Sequence, residues 1–242
     1  MKTPLVLLGI LFLVSPIFAA ENPAALTPKK HFKIIQTTRA AYPARMMSEG
    51  VSNGSVRVVI HVNEEGKLVD WLFVAYTRKE FADEVERVMK KWTFEPERDG
   101  DEPISTIVDL SFNFEVSGIM LVQRHGVDLP VTNDVSRKYE YQACSLKNVD
   151  RIPTPVSIVN PTYPKEWAEQ GITGKAVVDF YIDETGKVRL PASVSSSNPM
   201  LAGIAVAAVN KWQFTPPTRK GTPVLVHAQQ IFEFQKESVA AK

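Results

Sequence analysis

The sequence has 242 residues, of which 44% are hydrophobic and 23% are charged, the composition of a globular protein with one or two domains and a substantial core. Its 28 Lys and Arg side chains balance 27 Asp and Glu, so a nucleic-acid partner, which requires a basic excess, is not expected. The single cysteine, Cys144, excludes an internal disulfide and a thiolate metal cage, and we expect it to be buried.

The first 20 residues have the features of a secretory signal peptide. Lys2 precedes an apolar run over residues 5–14, and the small residues Ala19 and Ala20 end the segment. We predict that this signal is cleaved and that the protein is exported to the periplasm. The alternative is a retained anchor in the inner membrane, because the apolar reach of residues 4–20 approaches the length of about 20 residues that spans a bilayer. In that case the N-terminal segment is the expected membrane contact.

The rest of the sequence contains an internal duplication. Residues 54–114 align with residues 174–234 at a constant offset of 120, and the identities concentrate at Gly, Trp, Phe and Pro, which have the strictest geometric demands. We therefore divide the chain into a signal peptide (1–20), a lead-in (21–41), repeat 1 (42–115), a connector (116–162), repeat 2 (163–234) and a C-terminal tail (235–242).

Each repeat predicts the same elements in the same order. A short helix follows a Tyr-Pro pair, and two alternating strands then flank a turn that contains glycine. A longer helix with an apolar stripe ends near a tryptophan, and a last alternating strand completes the repeat. The predicted ranges in repeats 1 and 2 are 44–49 and 165–170 for the short helix, 55–62 and 176–182 for the first strand, 69–74 and 188–194 for the second strand, 81–92 and 201–212 for the long helix, and 104–114 and 224–234 for the last strand.

This pattern predicts an α+β fold with two tandem units, each a three-stranded antiparallel sheet packed by helices on one face. Trp92 and Trp212 lie on the apolar stripes and are predicted to be core residues. Residues 128–148 of the connector carry no pattern that predicts an element.

The motifs resemble the C-terminal domain family of the energy transducer TonB. Repeat 1 keeps most of the family pattern but has Ala75-Tyr76-Thr77 where repeat 2 has a serine run. Repeat 2 matches more closely, through Tyr163-Pro164, Gly171-x-x-Gly174, Asp183-Glu184-x-Gly186-Lys187, Ser195-Ser196-Ser197, Lys211-Trp212-x-Phe214-x-Pro216 and Gly221-x-Pro223.

The resemblance implies a non-catalytic, protein-binding module of the periplasm. Domains of this family take up an extended segment of an outer-membrane receptor as an added strand, because an unpaired sheet edge offers backbone donors and acceptors. By this analogy the last strand of either repeat is the candidate edge, and the sequence leaves open which one is free. The candidate residues are Ile104, Thr106, Val108, Leu110 and Phe112 in repeat 1 and Val224, Val226, Ala228, Gln230 and Phe232 in repeat 2.

The N-terminal region departs from an energy transducer. A transducer keeps an N-terminal helix in the inner membrane, with a Ser and a His one turn apart, followed by a long proline-rich spacer. This chain has Ser15 but no histidine before His31, and residues 21–41 contain only Pro23 and Pro28. Energy coupling in transmembrane transport is therefore an alternative that applies only if the N-terminal helix is retained.

The sequence contains no constellation that indicates catalysis, a metal site or a cofactor. The four histidines, His31, His61, His125 and His227, occur singly, and His61 and His227 are predicted to lie on solvated strand faces. The serine run at 195–197 has no glycine elbow around it. We therefore predict that the protein is not an enzyme and needs no cofactor.

The two repeats differ in charge. Repeat 1 has 9 basic and 15 acidic residues, whereas repeat 2 has 7 basic and 6 acidic residues, so we expect them to bind different partners unless the surface has merely drifted. The favoured hypothesis is an exported adaptor that binds a protein or an extended peptide. The alternative is an envelope scaffold that uses the repeats for self-association, for example as a homodimer.

Overall fold

The computed structural model describes residues 32–125 and 138–235. The predicted signal peptide, His31, part of the connector and most of the C-terminal tail lie outside these residues.

Repeat 1 forms a five-stranded sheet with two helices. Its elements are β1 (Lys33–Gln36), α1 (Ala44–Ser48), β2 (Asn53–Val62), β3 (Leu68–Tyr76), α2 (Lys79–Met89), β4 (Thr93–Glu95), β5 (Glu97–Asp99), β6 (Glu102–Ile104) and β7 (Thr106–Glu115). The connector adds β8 (Gly118–His125) and β9 (Tyr141–Gln142). The strand order is β8-β7-β2-β3-β9, and all neighbours are antiparallel.

Repeat 2 forms a four-stranded sheet on the same plan. The connector first supplies β10 (Cys144–Ser145), a 3-10 helix (Leu146–Asn148) and β11 (Pro155–Ser157). The repeat continues with α3 (Lys165–Glu169), β12 (Gly174–Ile182), β13 (Val188–Ser196), α4 (Pro199–Val209), β14 (Gln213–Phe214), β15 (Thr218–Arg219), β16 (Thr222–Pro223) and β17 (Val226–Phe234). The order is β10-β17-β12-β13, with β10 parallel to β17 and the other neighbours antiparallel.

The predicted α+β fold of two repeated units is confirmed. Each sheet contains the three predicted strands, but it is larger than predicted because the connector supplies β8, β9 and β10. The lead-in joins the first unit, since β1 pairs with β4, and the end of the connector joins the second unit, since β11 pairs with β14.

The turn after the first strand has the same contacts in both repeats. The side-chain Oδ1 of Asn63, and that of Asp183 in repeat 2, accepts backbone N–H groups two and four residues later at 2.9 to 3.1 Å. Gly66 and Gly186 have φ angles of +75° and +85°, and a Cβ at either position would lie 2.3 or 2.0 Å from a phenylalanine carbonyl oxygen. Glycine is therefore needed here both for its backbone conformation and for the close approach.

One face of each sheet packs against the long helix of its unit. Trp92 and Trp212 are 8% and 7% exposed, which confirms their predicted place in the core. The indole N–H of Trp92 donates to the carbonyl of Thr38 in the lead-in at 3.1 Å, and that of Trp212 donates to the carbonyl of Val159 in the connector at 2.8 Å. The tryptophan thereby fixes the segment that precedes each repeat to the core of that unit.

The other faces of the two sheets pack against each other. Their shared core contains Val59 and Val74 from repeat 1 with Tyr181, Leu190 and Leu225 from repeat 2, all buried. The layers therefore run helix, sheet, sheet, helix, so the two units have three cores between them.

The connector crosses from one sheet to the other within five residues. β9 pairs with the end of β3, and β10 pairs with the start of β17. Tyr141 stacks on Tyr76 with ring centroids 5.1 Å apart, and its hydroxyl donates to Glu184 Oε1 at 3.0 Å, so one side chain contacts both units. Cys144 is 5% exposed, which confirms its predicted burial.

Polar side chains are buried on the sheet faces that point away from the helices. Arg57 donates to both carboxylate oxygens of Asp109, which is 1% exposed. In repeat 2, Gln229 Nε2 donates to Asp179 Oδ1 at 2.7 Å, and His227 Nε2 lies 3.6 Å from Asp179 Oδ2. The prediction of a solvated His227 is wrong: its side chain is 12% exposed, and the ring of Tyr181, its partner on β12, lies edge-on against it with centroids 5.2 Å apart.

Candidate functional site

The structure closes the candidate edge of repeat 1. Thr106, Val108, Leu110 and Phe112 lie in β7, which pairs with β2 on one side and with β8 on the other. Ile104 ends the separate strand β6. The prediction of an edge strand is therefore wrong here, because the chain turns at residues 116–117 and returns alongside β7.

In repeat 2 the corresponding strand is unpaired on one side over most of its length, as far as residues 32–125 and 138–235 show. Val224 precedes β17, and Val226 pairs with β10, so these two candidates do not lie at the open edge. Ala228, Gln230 and Phe232 lie in the stretch 228–234, which pairs with β12 on one side. On its other side, no strand of the described part of the chain pairs with this stretch.

The alternation of the strand identifies the backbone groups at this edge. The N–H of Cys144 in β10 donates to the carbonyl of Leu225 at 2.7 Å, so the backbone groups of Leu225 point to the side away from β12. Successive residues of a strand point their backbone groups to opposite sides, so every odd-numbered residue of this strand does the same. Gln229, Ile231 and Glu233 therefore face the open side. The side-chain amide of Gln230 donates to the Ile231 carbonyl at 2.8 Å, where the N–H of an added strand would bind.

This stretch has few of the features that protect an exposed edge. Residues 228–234 contain no Pro, Lys or Arg, and the single charge, Glu233, pairs with Lys175 at 2.7 Å. The opposite edge strand of the sheet, β13, contains Pro191, which lacks an N–H, and Leu190 with a φ of +48°, and its register against β12 shifts twice. Strand β17 is therefore the better template for an added strand.

The core of repeat 2 is less completely covered beside this edge. In repeat 1, Phe112 and Phe114 are 2% and 0% exposed, and Ile119 of β8 packs against their cluster. Of their counterparts, Phe232 is partly exposed and Phe234 is 8% exposed. The phenylalanines of repeat 1 are more buried, in keeping with the presence of β8 beside β7, whereas no described strand lies beside residues 228–234 of β17.

Sequence reasoning missed the odd-numbered residues of the edge. The alternation singled out the even-numbered residues of β17, whose side chains face the core, whereas the backbone groups of Gln229, Ile231 and Glu233 face the open side. The available signal was Ile231, an apolar residue at a strand position opposite the core, where it is 53% exposed.

Residues 38–116 and 159–235 match the sequence model of the family described as Gram-negative bacterial TonB protein C-terminal. The chain belongs to this family. The matched segments correspond to the two units, so the TonB C-terminal domain occurs twice. The solution NMR structure of the Pseudomonas aeruginosa TonB CTD is 28% identical, covering 39% of this chain and 95% of that chain, with a TM-score of 0.33. No match was found among curated proteins.

TonB C-terminal domains are protein-interaction modules. Within residues 32–125 and 138–235, no group of three or more His, Cys, Asp or Glu side chains could hold a metal ion. No helix in the same ranges is long and apolar enough to cross a membrane. Within the described ranges, the second unit has one strand, β17, whose residues 228–234 pair on one side only.

Proposed function

We propose that this protein is an exported adaptor that binds an extended segment of an outer-membrane receptor or another envelope protein. The segment adds as a strand to residues 228–234 of β17. The open edge carries this proposal, since the equivalent edge in repeat 1 is closed by β8. The predicted signal peptide and membership of the TonB C-terminal family support a periplasmic location.

Strand addition uses groups that are already positioned. The N–H and C=O groups of Gln229, Ile231 and Glu233 supply the donors and acceptors, each bond adding about 1 kcal/mol net. The strand is held rigid by its full pairing with β12, so little ordering of this protein opposes binding.

A proline at position 231 tests this edge. Ile231→Pro removes an N–H that faces the open side and leaves the hydrogen bonds to β12 intact, and edge strands tolerate proline at such positions. The control is Gln230→Pro, which removes an N–H that bonds β12 and is expected to destabilise the fold. A photo-reactive benzoylphenylalanine at the exposed Glu233 position then reports contacts in whole cells.

We expect an ultraviolet-dependent cross-link from position 233 to an envelope protein, and we expect Ile231→Pro to abolish it without lowering the melting temperature. The same amino acid at Ile35, which is 66% exposed in β1, is the background control. Equal cross-linking from positions 35 and 233, or unchanged cross-linking in the folded Ile231→Pro protein, contradicts the proposal.

Self-association as a scaffold is the second candidate, favoured by the surface of α4. Residues 195–210 contain no charged side chain, and Met200 is 42% exposed. The equivalent helix α2 instead carries ion pairs along its surface, such as Lys79 with Asp83 at 2.5 Å. Sedimentation velocity decides between the two: a scaffold forms a dimer that Ala207→Glu disrupts, whereas an adaptor is a monomer that this exposed substitution leaves unchanged.

A further inference from the structure

We infer that the segment bound by β17 runs antiparallel to it and carries two large apolar side chains at alternate positions. This inference rests on the proposed strand addition and adds the chemistry of the partner. Strand β8 of the same chain supplies the template, because it occupies the equivalent edge in repeat 1.

The register of β8 shows which positions of an added strand face the core. Ile119 lies opposite Phe114 and Leu121 lies opposite Phe112, and directly opposite residues share a face of the sheet. Ile119 packs against the core cluster that contains both phenylalanines. Leu121 is 36% exposed, whereas Met120 points to the other face and is 60% exposed, so the position between the two apolar side chains is the freest of the three to vary.

The duplication aligns Phe112 and Phe114 of β7 with Phe232 and Phe234 of β17, so the register of β8 against β7 can be applied to β17. A strand bound in the same register places its two apolar side chains opposite Phe234 and Phe232. Phe232 is partly exposed and packs against Trp212 with ring centroids 5.7 Å apart, as Phe112 packs against Trp92 at 5.7 Å. The apolar surface that β8 covers in repeat 1 is thus available in repeat 2.

The connector limits the length of the bound segment. Strand β10 already pairs with Val226 and His227, and Leu146 of the following 3-10 helix packs against the core of repeat 2. Pairing is therefore confined to residues 228–234. A segment of five to seven residues, with the pattern apolar-x-apolar near its N-terminal end, fits this length when it runs antiparallel.

The test uses β8 itself as the probe, as a synthetic peptide of residues 117–123 (Ser-Gly-Ile-Met-Leu-Val-Gln) added to the mature chain. One variant peptide carries Ile119→Ser and Leu121→Ser, on the face that meets the core. The matched control carries Met120→Ser and Val122→Ser, which removes apolar surface from the other face. Backbone amide NMR shifts locate the binding, and fluorescence anisotropy gives the affinity.

We expect the parent peptide to shift the amides of Gln229, Ile231 and Glu233 and to lose binding to the Ile231→Pro protein. Replacing the core-facing pair should weaken binding at least about tenfold, because two apolar side chains lose part of their burial, and the control pair less than about threefold.

Four outcomes overturn the inference. If both variant peptides bind β17 equally, strand addition stands and only the partner chemistry is wrong. If no peptide shifts β17 although position 233 cross-links in cells, the β8 template is wrong. If the peptide binds only after residues 236–242 are removed, the tail of the chain, and not a partner, occupies the edge of β17. Shifts confined to β7 and β8 show exchange of the native strand instead.

Discussion

Gly186 offers a test of how far the hairpin turn depends on glycine. At this residue a Cβ would meet the carbonyl oxygen of Phe214 at 2.0 Å, and the φ is +85°. The matched control is Gly221, whose φ of +76° is similar but whose Cβ would have nothing within 4 Å. Gly221→Ala therefore isolates the cost of the left-handed backbone, about 1 kcal/mol.

Gly186→Ala adds a steric cost to the same backbone cost. The turn must open by more than 1 Å, roughly, to reach an ordinary carbon–oxygen contact. That movement disrupts the bonds from Phe214 N to Gly186 O and from Gly186 N to Asp183 O, both 2.8 Å long. Each bond contributes about 1 kcal/mol, so the total loss should be about 3 kcal/mol.

Urea unfolding followed by tryptophan fluorescence measures both variants. We expect a lower midpoint with an unchanged slope, because the surface exposed on unfolding is the same. The pair Gly66 and Gly100 repeats the experiment in the first unit, since their φ angles are +75° and +63° and a close contact exists only at Gly66. If both members of a pair lose the same stability, the carbonyl contact has no energetic role.

Three further predictions concern Leu225, Tyr141 and His61. Leu225→Ala should cost about 2 to 5 kcal/mol, and calorimetry should still show a single transition, because the two sheets share this core; two separate transitions would contradict the shared core. Tyr141→Phe should lower the free energy of unfolding in urea by about 1 kcal/mol through the lost bond to Glu184, and no change would show that this bond does not join the units. Burial lowers the pKa of His61 below 6.5, so protonation favours the unfolded state. The stability that this shift contributes is therefore full above pH 6.5 and declines as the pH falls below it. In the native protein the urea midpoint should fall between about pH 7.5 and 5.5, and His61→Gln should make that fall smaller.

The elements within each repeat were predictable because their signals are local. Period-two alternation in β2 and β12 and the helical stripes ending at Trp92 and Trp212 fix the face that meets the helix. The turn glycines Gly66 and Gly186 mark the hairpins in the same way. Each of these signals depends on neighbours within a few residues. The duplication strengthened the prediction because the same signals occur in both repeats.

The contacts between repeats and connector could not be predicted by the same reasoning, because strand pairing over long distances leaves no local period. The run Ile119 to Val122 indicated a strand, but its pairing partner depends on the turn at residues 116–117. A signal for the shared core was present: Val58-Val59-Ile60 and Phe180-Tyr181-Ile182 are continuous apolar runs, which are typical of strands buried on both faces.

Because the connector crosses between the sheets, the segment that was duplicated differs from the segment that contains a complete sheet. The duplicated segment ends near Glu115 and begins again near Tyr163, yet β9 completes the first sheet and β10 the second, and only residue 143 lies between them. A cut anywhere from 116 to 141 removes paired residues from the first sheet, and a cut after 145 leaves β10 on the wrong fragment. The repeat is thus the unit of duplication, whereas the whole pair is the smallest piece that keeps every strand of both sheets.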